Sequence, residues 1–286
     1  MSQQLLSDLT SKHETHNTLA LCFIANSGNA ETGETLGNNV SKILMQQNAR
    51  PYVIKKAALC LLHLFRKNAD VVGPPANFVE KAKTLLQHTD AGVLTAVLSL
   101  IQGLAAAAAK EYEILIPLIC KLLNKVVIQK AVTGDYLYDH IAAPWLVVKG
   151  FQLLQIFENI GQDKKAYKDL IEVLRGVIGT DSKKFVSVDA KTKQVRRRNA
   201  MLAVLFEGIN VATRLFQDEN FSKDKDNKDK QTDSKDPSKI VDSNSAKDNK
   251  DGQGGERTKE KDGRDIIQKS VNHFRYFLSF QDPDLR

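Results

Sequence analysis

The densest chemical feature of the sequence is a run of cationic side chains, called the basic cluster below. It consists of Lys183, Lys184, Lys191, Lys193, Arg196, Arg197 and Arg198. Only Asp181 and Asp189 oppose it. Such a cluster can bind anionic lipid head groups, and each well-placed cation then contributes about 1 kcal/mol to binding. It can also bind an acidic protein partner. The third interpretation is a loop whose charges are only solvated. Phe185 is its only aromatic residue, whereas single-strand binding uses several stacking rings, so we expect no nucleic acid ligand.

Other reactive side chains do not assemble into a recognisable catalytic set. His13 and His16 could share one face of a helix, but no cysteine or third ligand lies nearby, so a metal site is not expected. The tyrosines, aspartate and histidine of residues 136–140 lack a partner nucleophile. Phosphate-loop, dinucleotide, zinc-protease and serine-hydrolase motifs are missing from the sequence. We therefore expect no enzyme and no cofactor.

Several chemically capable residues lie in apolar surroundings and are predicted to be structural. His63 lies within a leucine-rich run and is expected to be partly buried. Trp145 follows a proline at a helix start and is interpreted as a packing anchor. The cysteines, which form no CxxC pair, lie in apolar runs and should behave as small buried hydrophobes, as is typical of a reducing compartment. They are Cys22, Cys60 and Cys120.

The elements that carry these residues have helical periodicity throughout. Pro51 suits a first helical position, and its helix should end near Asn68. Further helices are expected at 76–88, at 90–109 with Asp90 as the cap, at 111–129 with a bend or break at Pro117, and at 144–160, 163–178 and 196–216. A polar loop is expected at 133–140. Residues 93–109 carry no charge but are short for a membrane span, which favours a buried helix.

A weak internal repeat predicts the architecture. The segments that start at Pro51, Ala91 and Pro144 each place an apolar residue third and continue with aliphatic and small residues at helical spacing. Intervals of about 40–50 residues are typical of paired helices in HEAT or armadillo solenoids. The fold class is therefore expected to be all-α, a superhelical stack of antiparallel helix pairs; an irregular helical bundle is the alternative.

The charge balance separates one segment from the rest. The chain has 286 residues and a net charge of +7, but residues 218–265 hold 14 acidic and 12 basic residues, so the remainder carries +9. This segment has too few apolar residues to offset the entropy of ordering. We expect a helical-repeat trunk at 1–217, a disordered Lys/Asp-rich insertion at 218–265, and a resumed trunk at 266–286 that stops where Pro283 and Leu285 repeat a helix start.

Several strings resemble, in order, the trunk of the large adaptin subunits of clathrin adaptors, alpha-adaptin more than gamma-adaptin. The strings are Ala20–Asn29, Arg50–Val72, Asp90–Leu100, Tyr136–Phe157, Gly179–Lys184 and Asn199–Val211. The resemblance covers about 19–216 and resumes at about 273–286. It implies a non-catalytic scaffold in vesicle-mediated transport and endocytosis that binds the large beta, medium and small adaptor subunits and, indirectly, the clathrin coat.

The resemblance also implies a location and sets limits. Such a trunk is cytoplasmic and peripheral on phosphoinositide-bearing plasma membrane at coated pits, without a transmembrane segment. The lysines that bind lipid in the family lie upstream of the region matched here, so none is carried over, and the basic cluster matches no family site. Another helical-repeat scaffold, such as a nuclear transport receptor or a phosphatase scaffold, is the alternative. Cargo specificity does not follow from the resemblance.

Overall fold

Helices account for nearly all of the secondary structure in the computed structural model, which describes residues 2–46, 48–179, 192–229 and 263–275. The α-helices are α1 (Ser2–Leu9), α2 (Glu14–Ser27), α3 (Ala30–Leu44), α4 (Pro51–Lys67), α5 (Pro75–Leu85), α6 (Ala91–Ala107), α7 (Ala109–Tyr112), α8 (Ile116–Val127), α9 (Pro144–Leu154), α10 (Lys164–Ile178), α11 (Thr192–Asp229) and α12 (263–275). Short 3-10 turns occupy Ala69–Val72, Glu113–Leu115 and Gly134–Tyr136, and two strands are β1 (Leu137–Tyr138) and β2 (Ile141–Ala142).

Local sequence explains where these helices start. Pro51 is the first residue of α4, where its missing N–H has no intrahelical acceptor to lose. The backbone N–H of Val93 donates to Asp90 Oδ1 at 2.8 Å, and that of Ala166 donates to Asp163 Oδ1 at 2.6 Å, so both aspartates are N-caps. The helices predicted at Pro51, Asp90 and Asp163 are therefore confirmed.

The helices form two rows. Helices α2, α4, α6, α9 and α11 contact one another in that order and make the first row. Behind them, α3 packs on α4, α8 on α9 and α10, and α10 on α11 in the second row. The buried aliphatic side chains form one core cluster between the rows. This layered stack confirms the α-solenoid and excludes the irregular bundle.

Helices α2 and α4 run parallel, which is the arrangement expected of successive first-row helices. At one end Arg50 forms a 2.8 Å ion pair with Glu14, near the N-termini of both helices. At the other end Lys67 Nζ donates to the Gly28 carbonyl oxygen at 2.6 Å, near both C-termini. The two contacts fix the register between the helices.

The charge-free helix predicted at 93–109 is α6, and its burial is confirmed. Eleven of its 17 residues are buried, and it packs between α4 and α9. None of the described helices is both long enough and apolar enough to cross a membrane.

Two predicted helices are interrupted or shortened. Pro117 is the second residue of α8, so the predicted helix at 111–129 is split into α7, a 3-10 turn and α8, as expected of an internal proline. Helix α9 ends at Leu154 rather than at residue 160. Beyond this end the chain turns, and Phe157 and Ile160 are still buried almost completely in the core.

The predicted polar loop at 133–140 contains part of a hairpin. Leu137 pairs with Ala142 and Tyr138 with Ile141 in antiparallel register. Asp139 and His140 have φ of 47° and 70°, as a tight two-residue turn between strands requires. The predicted loop is therefore present, but it contains a short hairpin that the sequence did not predict, because strands of two residues are too short to show alternation.

Helix α11 is longer than the predicted 196–216. It continues to Asp229, so residues 218–229 are helical although they fall in the segment predicted to be disordered. Residues 217–229 contain no glycine or proline, and a helix that is already nucleated gains one hydrogen bond for each residue it adds. Residues 230–262 lie outside the described residues, and for them disorder stays a prediction.

The chain returns to the stack at α12. Ile266, Ser270 and His273 are buried along one face of this helix, and His273 Nε2 lies 2.8 Å from the carbonyl oxygen of Ile178 at the end of α10. A Cβ on Gly263 would come within 2.9 Å of Phe216 on α11. Helix α12 therefore packs against α10 and α11, and the resumed trunk at 266–286 stays a prediction; residues 276–286 lie outside the described residues.

Candidate partner-binding surface

The structure describes the basic cluster only in part. Lys183, Lys184 and Lys191 lie outside the described residues, and Lys193 is described only as part of the α11 backbone. Arg196 and Arg197 are exposed one turn into α11. Arg198 is half-buried, and its Nε is buried without a hydrogen-bond acceptor among the described residues. Two adjacent guanidinium groups are thus available to a ligand at this position.

A second candidate surface lies on α2 and α4 and was not predicted from the sequence. We call it the α2–α4 surface and define it by Leu19, Phe23, Tyr52, Lys55, Lys56 and Leu59. Leu19 is 69% exposed, the highest value among the large hydrophobic residues that the structure describes. Large exposed apolar side chains on neighbouring helices are typical of a protein-binding surface.

Cations adjoin the aromatic ring of this surface. The Nζ atoms of Lys55 and Lys56 each lie 5.5 Å from the centroid of the Tyr52 ring, within cation–π range. The α2–α4 surface therefore combines apolar groups with positive charge and suits a partner with apolar and acidic groups.

The prediction that His63 is partly buried was wrong, because position 63 lies one turn after Leu59 on the exposed face of α4 and is itself exposed.

A polar seam continues along the first row. Lys149 on α9 donates to Gln102 Oε1 of α6 at 3.4 Å and to Gln152 Oε1 at 3.2 Å. Gln152 and Gln155 donate to the two carboxylate oxygens of Glu207 on α11 at 2.9 and 2.6 Å. These part-buried groups satisfy one another, so the seam sets helix register and offers few free donors to a ligand.

A further exposed ring lies beside the hairpin, at the start of α9. Trp145 is 52% exposed and meets Tyr138 edge-on at 6.1 Å between centroids, so its prediction as a packing anchor was wrong. Behind the hairpin, the Tyr136 hydroxyl lies 2.9 Å from both carboxylate oxygens of Asp90. Burial, reinforced by this hydrogen bond to the carboxylate, raises the pKa of Tyr136. The hairpin is thus anchored to the cap of α6.

The remaining reactive groups do not form a reaction centre in the described part of the chain. His13 and His16 have ring centroids 5.2 Å apart, but no group of three His, Cys, Asp or Glu side chains there could hold a metal. Cys60 and Cys120 are buried, as predicted, and Cys22 is half-buried. Burial raises the pKa of the Cys60 and Cys120 thiols to about 12, which keeps both protonated and unreactive at neutral pH.

Comparison with known proteins agrees with this architecture. The protein-family model described as the adaptin N-terminal region matches residues 1–231. Relatives include AP-2 complex subunit alpha-1 of Arabidopsis thaliana, 37% identical over 73% of this chain and 20% of the relative, and AP-2 complex subunit alpha-2 of Dictyostelium discoideum, 35% identical over 74% and 20%. Mouse AP-1 complex subunit gamma-like 2 is 27% identical over 60% of this chain and 21% of the relative.

Identity to the alpha subunits exceeds identity to the gamma-like relative, as the sequence strings implied. The matched region spans about a fifth of the length of these curated relatives. The family match covers most of the chain and coincides with the two-row stack. The chain belongs to the adaptin N-terminal region family.

Proposed function

We propose that the chain acts as a structural subunit of a clathrin adaptor complex in vesicle-mediated protein transport. Its role is to scaffold the large beta, medium and small adaptor subunits and cargo at the cytoplasmic face of the plasma membrane, in coated pits, with clathrin bound indirectly. It acts without catalysis. The observation that carries the proposal is the match to the adaptin N-terminal region over residues 1–231, with AP-2 alpha subunits among the relatives.

The α2–α4 surface supports the scaffold role. Interface hot spots concentrate in aromatic and other large side chains that pack centrally, with charges at the rim. Phe23 and Tyr52 supply the aromatic groups, and Lys55 and Lys56 supply the charge. A subunit that places an acidic rim around apolar side chains would complement this surface.

Co-purification tests the proposal. The tagged chain is co-expressed with small and medium adaptor subunits, and recovery of both is expected. Leu19→Asp with Phe23→Asp should abolish recovery, whereas Ile114→Asp, at a residue that is 57% exposed elsewhere in the stack, should preserve it. Recovery of a nuclear-transport GTPase or a phosphatase catalytic subunit in place of adaptor subunits would overturn the proposal in favour of another helical-repeat scaffold.

Peripheral binding to phosphoinositide membrane is proposed for the basic cluster. Arg196→Glu with Arg197→Glu should weaken sedimentation with phosphoinositide liposomes, since each well-placed cation contributes about 1 kcal/mol. Adding Arg198→Glu tests the half-buried member of the cluster, with circular dichroism to check folding. Lys164→Glu with Lys168→Glu, an exposed pair on α10, is the matched control. If the cluster variants bound phosphoinositide liposomes as well as wild type does, only the interpretation of the basic cluster as solvated charges would remain.

A further inference from the structure

A groove of about 410 Å³ opens on the second-row side of the stack, away from the α2–α4 surface. One wall is α8, and the other is the turn between α5 and α6 at residues 86–89 together with the start of α6. The volume falls within the roughly 300–1,000 Å³ of sites that bind small ligands. The groove depends on neither the basic cluster nor the adaptor subunits.

The α8 wall presents a single helical stripe. Leu118, Lys121, Leu122, Lys125 and Val126 all line the groove at i, i+3, i+4, i+7 and i+8. Leu122 and Val126 are buried and form an apolar floor, whereas Lys121 and Lys125 are exposed at the rim. The stripe rises about 12 Å along the helix axis, at 1.5 Å for each residue. It can accommodate about four residues of extended peptide at roughly 3.3 Å each.

The charged groups at the groove are cationic donors, beside the neutral polar side chains of Gln87 and Thr89. Within the described part of the chain, Lys121 and Lys125 form no ion pair, and no carboxylate lines the groove. On the facing wall, His88 Nδ1 accepts the backbone N–H of Asp90 at 2.9 Å. In the neutral ring the proton is therefore on Nε2, which makes that atom a third donor. The groove has positive charge at its rim and an apolar floor, so it is complementary to a ligand with carboxylates beside an aliphatic group.

The spacing of the lysines specifies that ligand further. Residues four apart on a helix are separated by about 6 Å along its axis, and alternate residues of an extended peptide are separated by about 6.6 Å. Two carboxylates at alternate positions can therefore meet Lys121 and Lys125 together. The residue between them points to the opposite side of the extended peptide, toward the floor at Leu122. We propose that this groove binds an extended acidic peptide segment of a partner protein, with the pattern carboxylate–aliphatic–carboxylate.

Binding of short synthetic peptides tests the proposal with the full chain. The probe is fluorescein-labelled Gly-Glu-Leu-Glu-Gly, measured by fluorescence anisotropy. Saturable binding is expected, weakened about tenfold or more in Lys121→Glu with Lys125→Glu by two like-charge contacts. Lys164→Glu with Lys168→Glu has the same spacing on neighbouring α10, outside the groove, and should bind as wild type does. Thr89→Trp, at an exposed residue lining the groove, should also reduce binding by filling it.

Comparator peptides separate this mode from simple charge attraction. Replacement of both glutamates by glutamine, or of leucine by serine, should each weaken binding, since carboxylates and the aliphatic side chain are both required. Equal binding of either comparator, or unchanged binding by the Lys121/Lys125 double variant with its fold verified by circular dichroism, would overturn the proposal. The proposal would also be overturned if the wild-type chain bound no peptide but bound anionic vesicles, and the Lys121/Lys125 double variant lost that vesicle binding. No outcome depends on co-purification of adaptor subunits.

Discussion

Helices α4 and α6 have the same length, 17 residues each, and lie side by side in the first row, yet they face different surroundings. Helix α6 has no charged residue, and the residues it leaves half-exposed or exposed are small or polar: Thr95, Ser99, Gln102, Gly103, Ala106 and Ala107. Helix α4 exposes Tyr52 and Leu59 beside lysines. Within one row, therefore, α6 contributes mainly to the core, whereas α4 contributes both to the core and to a surface that can bind.

The largest expected effect contrasts a core leucine of α6 with a surface leucine of α4. Leu98 is fully buried, so Leu98→Ala should lower the free energy of unfolding by about 3–5 kcal/mol through lost burial and a residual cavity. Leu59→Ala, at an exposed position, should change it by about 0.5 kcal/mol or less. Urea unfolding followed by circular dichroism measures both. Similar losses for the two variants would remove the distinction between the helices.

A medium effect concerns the cap that makes α6 rigid. Asp90→Ala removes the N-cap bond to Val93 and also the acceptor of Tyr136, so a loss of about 2 kcal/mol is expected. Asp163→Ala removes an N-cap bond, to Ala166, without a second side-chain partner like Tyr136 among the described residues, and should cost about 1 kcal/mol. A double-mutant cycle of Asp90→Ala with Tyr136→Phe isolates the hairpin contact. Additive losses in that cycle would show that the contact between the Asp90 carboxylate and the Tyr136 hydroxyl contributes nothing to stability.

The smallest expected effect separates two lysines of α4. Lys67 Nζ donates to the carbonyl oxygens of Ala25, Asn26 and Gly28 at the end of α2, so Lys67→Met should cost about 1 kcal/mol. Lys55→Met should leave thermal stability nearly unchanged, because Lys55 contacts only the exposed Tyr52 ring among the described partners. Differential scanning fluorimetry compares them. A larger loss for Lys55→Met would assign the α2–α4 surface to stability rather than binding.

Much of the fold was predictable because its signals are local. Proline at 51, the aspartates at 90 and 163 and the apolar periodicity of α6 each act within a few residues, and all were confirmed. Trp145 and His63 were misassigned because apolar neighbours in the sequence do not show which side of a helix meets the core. That information comes from packing.

The candidate sites were less predictable than the fold. The basic cluster is visible as composition, but the structure describes only the arginine side chains on α11. The groove is lined by residues of α6, α8 and α9 and of the connecting segments at 86–89 and 131–132, which meet only through the stacking of these helices. The i, i+4 spacing of Lys121 and Lys125 is visible in the sequence, but the wall that faces them is not, so the sequence analysis did not predict this site.

Helix α12 bears on the order in which the molecule folds. Its contacts with Ile178 and Phe216 close a loop that includes residues 230–262, whereas α1–α10 pair with close neighbours in the chain. In a linear stack, folding can begin anywhere and spread to adjacent units, so α12 should be the last of the described helices to dock. Each doubling of a flexible loop adds only about 0.6 kcal/mol of closure entropy. The connection between α11 and α12 is consequently a place where this stack can accept additional sequence during evolution with little loss of stability.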